Sequence, residues 1–341
     1  MEKIRRNVGK EQFAGCIIGQ CVGDACGFPV EGCHGGYCEA YFALLDAGKI
    51  DKIELGKFKF GQYTDDSQLA RELMSTFVSC KRFDPEDYAR RIAEIFLHGK
   101  IVGRGIATDK AAARLNAGIG WKESGEPAPS AGNGTAMRAA PVGLMFYDDP
   151  ANLIECSCQQ SFITHQDPRC SAGSVAIAGA VALGLENEKI DVPFFLERLS
   201  LWVANVDPSF ASSLARLEDF VSLSPSEAVG PISQEGLEPK YRDGWPGRSP
   251  FVVSSVLWSL YAFLRSPEDY WQAVRTAVVV GGDVDTTGAM TGAISGAHLG
   301  LSAIPATFKE RVIDQGSWGI HDLTELAYRC FELKNAGKKE S

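Results

Sequence analysis

Residues 281–296 read GGDVDTTGAMTGAISG, and residues 15–27 read GCIIGQCVGDACG. Gly288, Gly292 and Gly296 recur at every fourth position with Ala289, Ala293 and Ala297 alongside; Gly15, Gly19, Gly23 and Gly27 repeat the pattern. Residues four apart share one face of a helix. Each glycine in a helix interior costs about 1 kcal/mol relative to alanine. A run of them needs an offset, and close approach of a neighbouring helix backbone, or of a ligand, is the usual one. The apolar residues between the glycines argue against loops, so the spacing predicts two helices with small faces.

The rest of the chain agrees. Apolar periodicity predicts helices over 12–26, 67–80, 85–98, 106–117, 134–146, 150–160, 171–185, 193–204, 208–221, 250–264, 267–279, 286–300 and 322–333. Asp84-Pro85, Asp149-Pro150, Asp207-Pro208 and Ser266-Pro267 each set a capping side chain before a proline suited to the first helical position. Strand patterns are scarce, so the expected fold class is all-α. Ser224–Pro250 carries Pro225, Pro231, Pro239, Pro246 and Pro250 together with Tyr241, Arg242, Trp245 and Arg248, and reads as an ordered surface loop near a pocket. Residues 119–134 read as a second loop.

Glycine is 36 of 341 residues, while hydrophobic residues are 45% and charged residues 23%, a balance that excludes disorder. The glycines show no repeat of three, which excludes collagen. No run approaches the roughly 18 apolar residues of a membrane span; the N-terminal apolar stretch is broken by Gln20 and Asp24 and reads as part of the fold, not as a secretory signal. The net charge is −9, and the basic clusters Lys3, Arg5, Arg6 and Lys338-Lys339 lie at the ends, so no nucleic-acid partner is expected. Ten cysteines without a CxxC pair read as reduced thiols of a cytoplasmic protein.

Two acidic clusters stand out. Tyr63-Thr64-Asp65-Asp66-Ser67 precedes a helix whose apolar positions are Leu69, Leu73, Met74 and Phe77, starting near Ser67. Gly281-Gly282-Asp283-Val284-Asp285-Thr286-Thr287 precedes the small-residue helix. Taken alone, each acid is a helix N-terminal residue favoured by the dipole. Together, carboxylates with adjacent hydroxyls suit hard ions such as Mg²⁺, Mn²⁺ or Ca²⁺ rather than zinc. Four carboxylates in one place would repel unless cations neutralised them. Sequence alone does not set residue 66 beside residue 283. Ala131–Arg138 (AGNGTAMR) reads as a plain turn or as a glycine loop offering backbone N–H groups to an anion. No nucleophilic triad order is evident around Thr164-His165.

In combination and order, GQCVGDACGFPVE (19–31), YTDDSQ (63–68), GNGTAMR (132–138), Thr164-His165 and GGDVDTTGAMTGAISG (281–296) resemble the ADP-ribosylglycohydrolase family. The resemblance implies one domain over 1–341, a compact orthogonal multi-helix bundle with a binuclear metal centre in a central cleft. It implies two Mg²⁺ (or Mn²⁺) ions on Thr64, Asp65, Asp66, Asp283, Asp285 and Thr286. ADP-ribose would lie over them, with Gly132, Asn133 and Gly134 along the diphosphate and ribose and His165 near the phosphates. Phe251, or else Tyr241 or Trp245, would meet the adenine. Catalytic duty would fall on Asp65, Asp66 or Asp283, with Glu31 gating the cleft or assisting the water. Val284, between the two acids, stands where many members have Thr, Ser or Ala, and Ser67 replaces a frequent threonine; neither removes a ligand. The implied activity is Mg²⁺-dependent release of ADP-ribose from a modified protein, arginine slightly ahead of serine as acceptor, by a cytoplasmic monomer. The alternatives are hydrolysis of a small ADP-ribosyl compound or other N-glycoside, and an ADP-ribose-binding module without turnover.

Overall fold

The computed structural model describes residues 6–53, 55–237 and 244–336. Among these the regular structure is helical, and β pairing is confined to isolated bridges. The α-helices are α1 (Lys10–Gly27), α2 (Gly35–Asp46), α3 (Asp65–Cys80), α4 (Pro85–Leu97), α5 (Ile106–Asn116), α6 (Ala140–Phe146), α7 (Pro150–Phe162) and α8 (Pro168–Glu186). They continue with α9 (Val192–Val203), α10 (Pro208–Val221), α11 (Pro225–Gln234), α12 (Val252–Arg265), α13 (Tyr270–Val278), α14 (Val284–Leu299), α15 (Ala306–Lys309) and α16 (Ile320–Ala336).

The two glycine helices are partners. α1 and α14 run antiparallel, with Gly15 against Gly296, Gly19 against Gly292 and Gly23 against Gly288. A Cβ on Gly23 would stand 2.0 Å from the Gly288 carbonyl oxygen, and one on Gly292 would stand 2.2 Å from that of Gly19. Backbone touches backbone along the seam, so only hydrogen fits there. α14 is buried on nearly every face, as is α8; helices that are apolar or small all round belong in a core. α3 and α16 pack on α1, α12 and α13 on α14, and α6 and α9 on α8.

Asp84, Asp149 and Asp207 cap their helices as expected, each accepting from backbone N–H groups of the first turn ahead of a proline. Several expectations are corrected. Residues 134–138 form turns, and the helix starts only at Ala140. The helix expected from 267 starts at Tyr270, because Asp269 accepts from the Gln272 N–H at 3.0 Å and Ser266 does not cap it. The segment 224–250 opens with a helix, α11, whose cap Ser224 forms a reciprocal box with Glu227. Tyr241 and Arg242 lie outside the described residues. Two stretches, Lys10–Val30 and Pro168–Glu186, are long and apolar enough to cross a membrane, contrary to expectation, but 89% of each apolar window is buried inside the fold.

Candidate functional site

Both acidic clusters sit at helix N-termini, and the seam brings those termini together. Asp65 and Asp66 form the first turn of α3; Asp283 is the cap residue of α14 and Asp285 lies in its first turn. α3 is capped from another helix. Asp24 of α1 accepts from the Thr64 N–H with both oxygens at 3.0 Å, from the Thr64 hydroxyl at 3.0 Å and from the Ser67 N–H at 3.1 Å. One turn earlier, Gln20 donates to the carbonyls of Asp66 (3.0 Å) and Met137 (2.9 Å). The two polar residues that interrupt the N-terminal apolar stretch therefore clamp the Thr64–Ser67 turn.

The second cluster is held by backbone. Gly281 and Gly282 take φ of +82° and +92°, a region glycine enters without steric cost. The pair is threaded between two strands of loop: Gly282 N–H donates to Cys33 O at 2.9 Å, Arg248 N–H to Gly281 O at 2.7 Å, and Asp283 N–H to Arg248 O at 2.8 Å. A Cβ at Gly282 would meet the Arg248 carbonyl oxygen at 2.1 Å.

The result is one acidic floor. Carboxylate oxygens of Glu31, Asp283 and Asp285 lie within 4.8 Å of one another, and Asp65, Asp66 and Thr286 line the same cleft, of about 500 Å³. Asp283 accepts from Asn133 Nδ2 at 2.6 Å and from the Thr286 hydroxyl at 3.0 Å. The Thr64 hydroxyl bridges Asp24 Oδ1 and Asp66 Oδ2, 3.0 Å from each. Burial raises Asp65 to about 7, with Glu31 and Asp283 adding to the rise and the Gly105 N–H opposing it. Burial and neighbouring carboxylates also hold Asp66 and Asp285 well above the usual carboxylate range. Burial, with Asp283 beside it, raises Glu31 at the exposed rim.

Among the described residues no lysine or arginine pairs with any of these acids. Asp66 Oδ1 is buried and accepts no hydrogen bond. Buried polar atoms are almost always satisfied. An oxygen-only donor set with an orphaned carboxylate oxygen and uncompensated negative charge fits a hard divalent cation.

Above the floor, the Gly132–Gly134 loop is tied to the start of α12: Asn133 N–H donates to Pro250 O at 2.9 Å and Val252 N–H to Ala131 O at 3.0 Å. Gly132, Asn133, Gly134 and His165 all reach the cleft. The Asn133 side chain is committed to Asp283, so this residue links the glycine loop to the acids. Trp245 lines both the cleft and an adjoining hollow of about 750 Å³; Phe251 lines only the hollow, with the Arg169 guanidinium 5.6 Å from its ring centroid.

Residues 103–108 also line the cleft, with the Thr108 hydroxyl 3.3 Å from the Cβ position of Gly134, and were not anticipated from the sequence. Asp65 N–H donates to Val102 O at 2.6 Å, and a Cβ on Gly103 would lie 2.7 Å from Asp65 Oδ1. The Gly103-Arg104-Gly105 triplet was their one visible signal.

The sequence model of the ADP-ribosylglycohydrolase family matches residues 5–339. The chain belongs to that family, whose members are hydrolases acting on glycosidic bonds. Over 95% of its length it is 29% identical to an uncharacterized protein of Archaeoglobus fulgidus, covering 97% of it. It is 26% identical to the ADP-ribosylarginine hydrolase Tri1 of Pseudomonas putida, over 94% of this chain and 78% of the relative. It is 27% identical to the ADP-ribosylhydrolase ARH3 of Xenopus tropicalis, over 92% and 96%. A solved ADP-ribosylglycohydrolase-related protein complex superimposes with a TM-score of 0.66, covering 95% of this chain and 98% of the other at 23% identity, which supports the all-α fold.

Proposed function

We propose that this chain is a divalent-cation-dependent hydrolase that cleaves the glycosidic bond between ADP-ribose and a modified protein side chain, arginine ahead of serine, and releases ADP-ribose. The observation that carries this reading is the meeting of Asp65 and Asp66 with Asp283 and Asp285 on the floor of a cleft walled by the Gly132–Gly134 loop.

Thr64, Asp65, Asp66, Asp283, Asp285 and Thr286 would hold two Mg²⁺ or Mn²⁺ ions. Bound there, the cations would supply Lewis-acid polarisation of the ribose hydroxyls and of water. The chain's own residues do the remainder. Glu31, the cleft acid outside that ligand set, offers negative charge to the oxocarbenium-like centre that develops when a glycosidic bond breaks. Asp65, Asp66 and Asp283 are placed to take a proton from attacking water, and Glu31 assists from the rim. Asn133 keeps Asp283 oriented. His165 and the N–H groups of Gly132 and Gly134 face the diphosphate, and Trp245 and Phe251 offer aromatic faces to the adenine. The arginine preference is supported by the similarity to the ADP-ribosylarginine hydrolase of Pseudomonas putida and by Glu31 at the rim, which favours a cationic leaving group.

Incubation with ADP-ribosyl-arginine and ADP-ribosyl-serine peptides, with and without Mg²⁺, tests this. Release from the arginine peptide in Mg²⁺ is expected. Faster release from serine reverses the acceptor; tight ADP-ribose binding with release from neither makes the protein a binding module.

A further inference from the structure

We infer that Arg138 and Thr164 are positioning residues that hold a neutral His165 in a single tautomer, its Nε2–H aimed into the cleft as a hydrogen-bond donor. The proposed function enters only in naming what that donor meets, the anionic oxygens of the ADP-ribose diphosphate; the tautomer follows from the hydrogen bonds.

Arg138 is completely buried. Its Nε donates to Gln160 Oε1 at 2.7 Å, and its Nη2 donates to Gln160 O and to the Thr164 hydroxyl oxygen, each at 2.8 Å. A guanidinium donates and never accepts. Thr164 Oγ1 therefore takes a proton from Arg138 and must send its own proton elsewhere. Among the described residues its one remaining partner is His165 Nδ1, at 2.9 Å. The hydroxyl thus donates to Nδ1, which carries no hydrogen, and a neutral ring then has its proton on Nε2. In the reverse arrangement the buried Thr164 proton would find no acceptor, an omission that disfavours that tautomer roughly tenfold or more.

Nε2 lies on the cleft side. It is 3.5 Å from the Cβ position of Gly132 and 3.6 Å from that of Gly134, two glycines that line the cleft. It makes no hydrogen bond to any described residue. The missing side chains at 132 and 134 leave room for a ligand oxygen to reach it. Burial first, and the Arg138 charge second, push the His165 pKa down to about 3, while Glu126 and Asp167 oppose them only weakly. In the other tautomer a lone pair would face the same oxygens and repel them.

The test is the ring-nitrogen spectrum of ¹⁵N-histidine-labelled protein by long-range ¹H–¹⁵N correlation NMR. The five histidines are resolved by the loss of one set in His165→Asn. The expected result is Nε2–H with a bare Nδ1, unchanged from pH 5 to 8 in the ligand-free protein. Nδ1–H, or imidazolium at pH 7, overturns the inference. Thr164→Val is expected to give a mixture of tautomers and to weaken ADP-ribose binding by the fraction of rings in the wrong one, about twofold for an even mixture. Thr164→Ser is expected to restore the single tautomer. A pure Nε2–H signal persisting in Thr164→Val overturns the role of Thr164. ADP-ribose that fails to bind wild type with an Nε2–H ring defeats the proposed function and leaves the tautomer standing.

Discussion

Substituting Gly292 by alanine perturbs the seam far from the chemistry. The added Cβ would stand 2.2 Å from the Gly19 carbonyl oxygen, where ordinary contact begins at 3.4 Å. Neither partner is a flexible side chain, so α1 and α14 must separate by about 1 Å in a close-packed interior. Such overpacking costs about 1–3 kcal/mol. The same carbonyl accepts from the Tyr270 hydroxyl at 2.7 Å, and disturbing that bond costs about 1 kcal/mol more. Alanine returns about 1 kcal/mol of helix propensity. The net expectation is a loss of about 1–3 kcal/mol, read from urea denaturation followed by circular dichroism. Turnover should fall further than stability suggests. α1 carries Asp24, which holds the Thr64–Ser67 turn, while α14 carries Asp283 and Asp285. A displacement of about 1 Å between reacting groups costs on the order of 100-fold in rate. Gly36→Ala is the control. That glycine is exposed in the first turn of α2, and its Cβ position meets only the His34 ring at 3.5 Å, an ordinary contact, so alanine there should stabilise by up to about 1 kcal/mol. A Gly292→Ala protein as stable and active as wild type would refute the packing argument.

Other expectations follow from the polar networks. Asp24→Asn should fold but lose about 10–100-fold in Mn²⁺ affinity by calorimetric titration, because Asp24 orients the turn bearing Asp65 and Asp66. Asp314 pairs with buried Arg71 at 2.7 Å and accepts from Gln68 at 2.9 Å, and Gln68 in turn accepts from the Val102 N–H; Arg71 keeps Glu72 at 2.9 Å, so Asp314→Ala should cost about 2 kcal/mol in denaturation, the scale of a hydrogen bond to a charged group. Asp24 and Asp65 are both raised to about 7, burial being the main cause. The folded state then holds protons that the unfolded state releases near pH 4, so cation-free protein should lose stability as pH rises from about 4 through 7. Added Mg²⁺ should restore it most at the alkaline end; a Tm of EDTA-treated protein that climbs across that window would contradict this sign.

Much of this architecture was legible in the sequence. Glycine at every fourth position in two apolar stretches has few physical readings, and the α1–α14 seam is the one that closes. Thr64-Asp65-Asp66 and Asp283-Val284-Asp285-Thr286 were visible because hydroxyls and acids rarely crowd a helix start twice. What stayed hidden depended on contacts across the fold. Asp24 reads in sequence as an interruption, and only the α1–α3 contact makes it a cap. α2 begins with Gly35-Gly36 and α11 carries Pro231 in its interior, so local propensity argued against both helices. Asn133 read as part of a phosphate loop, and its bond to Asp283 is a long-range pairing that no spacing encodes.

The central claim is that acids from two distant segments form one cation-dependent hydrolytic site. Its most direct test is ADP-ribose release from an ADP-ribosyl-arginine peptide by protein stripped with EDTA and then titrated with Mg²⁺, for wild type and Asp283→Asn. The account predicts that stripped wild type is inactive, that Mg²⁺ restores it, and that folded Asp283→Asn stays inactive at every concentration. Full turnover in EDTA, or undiminished turnover by Asp283→Asn, would contradict it.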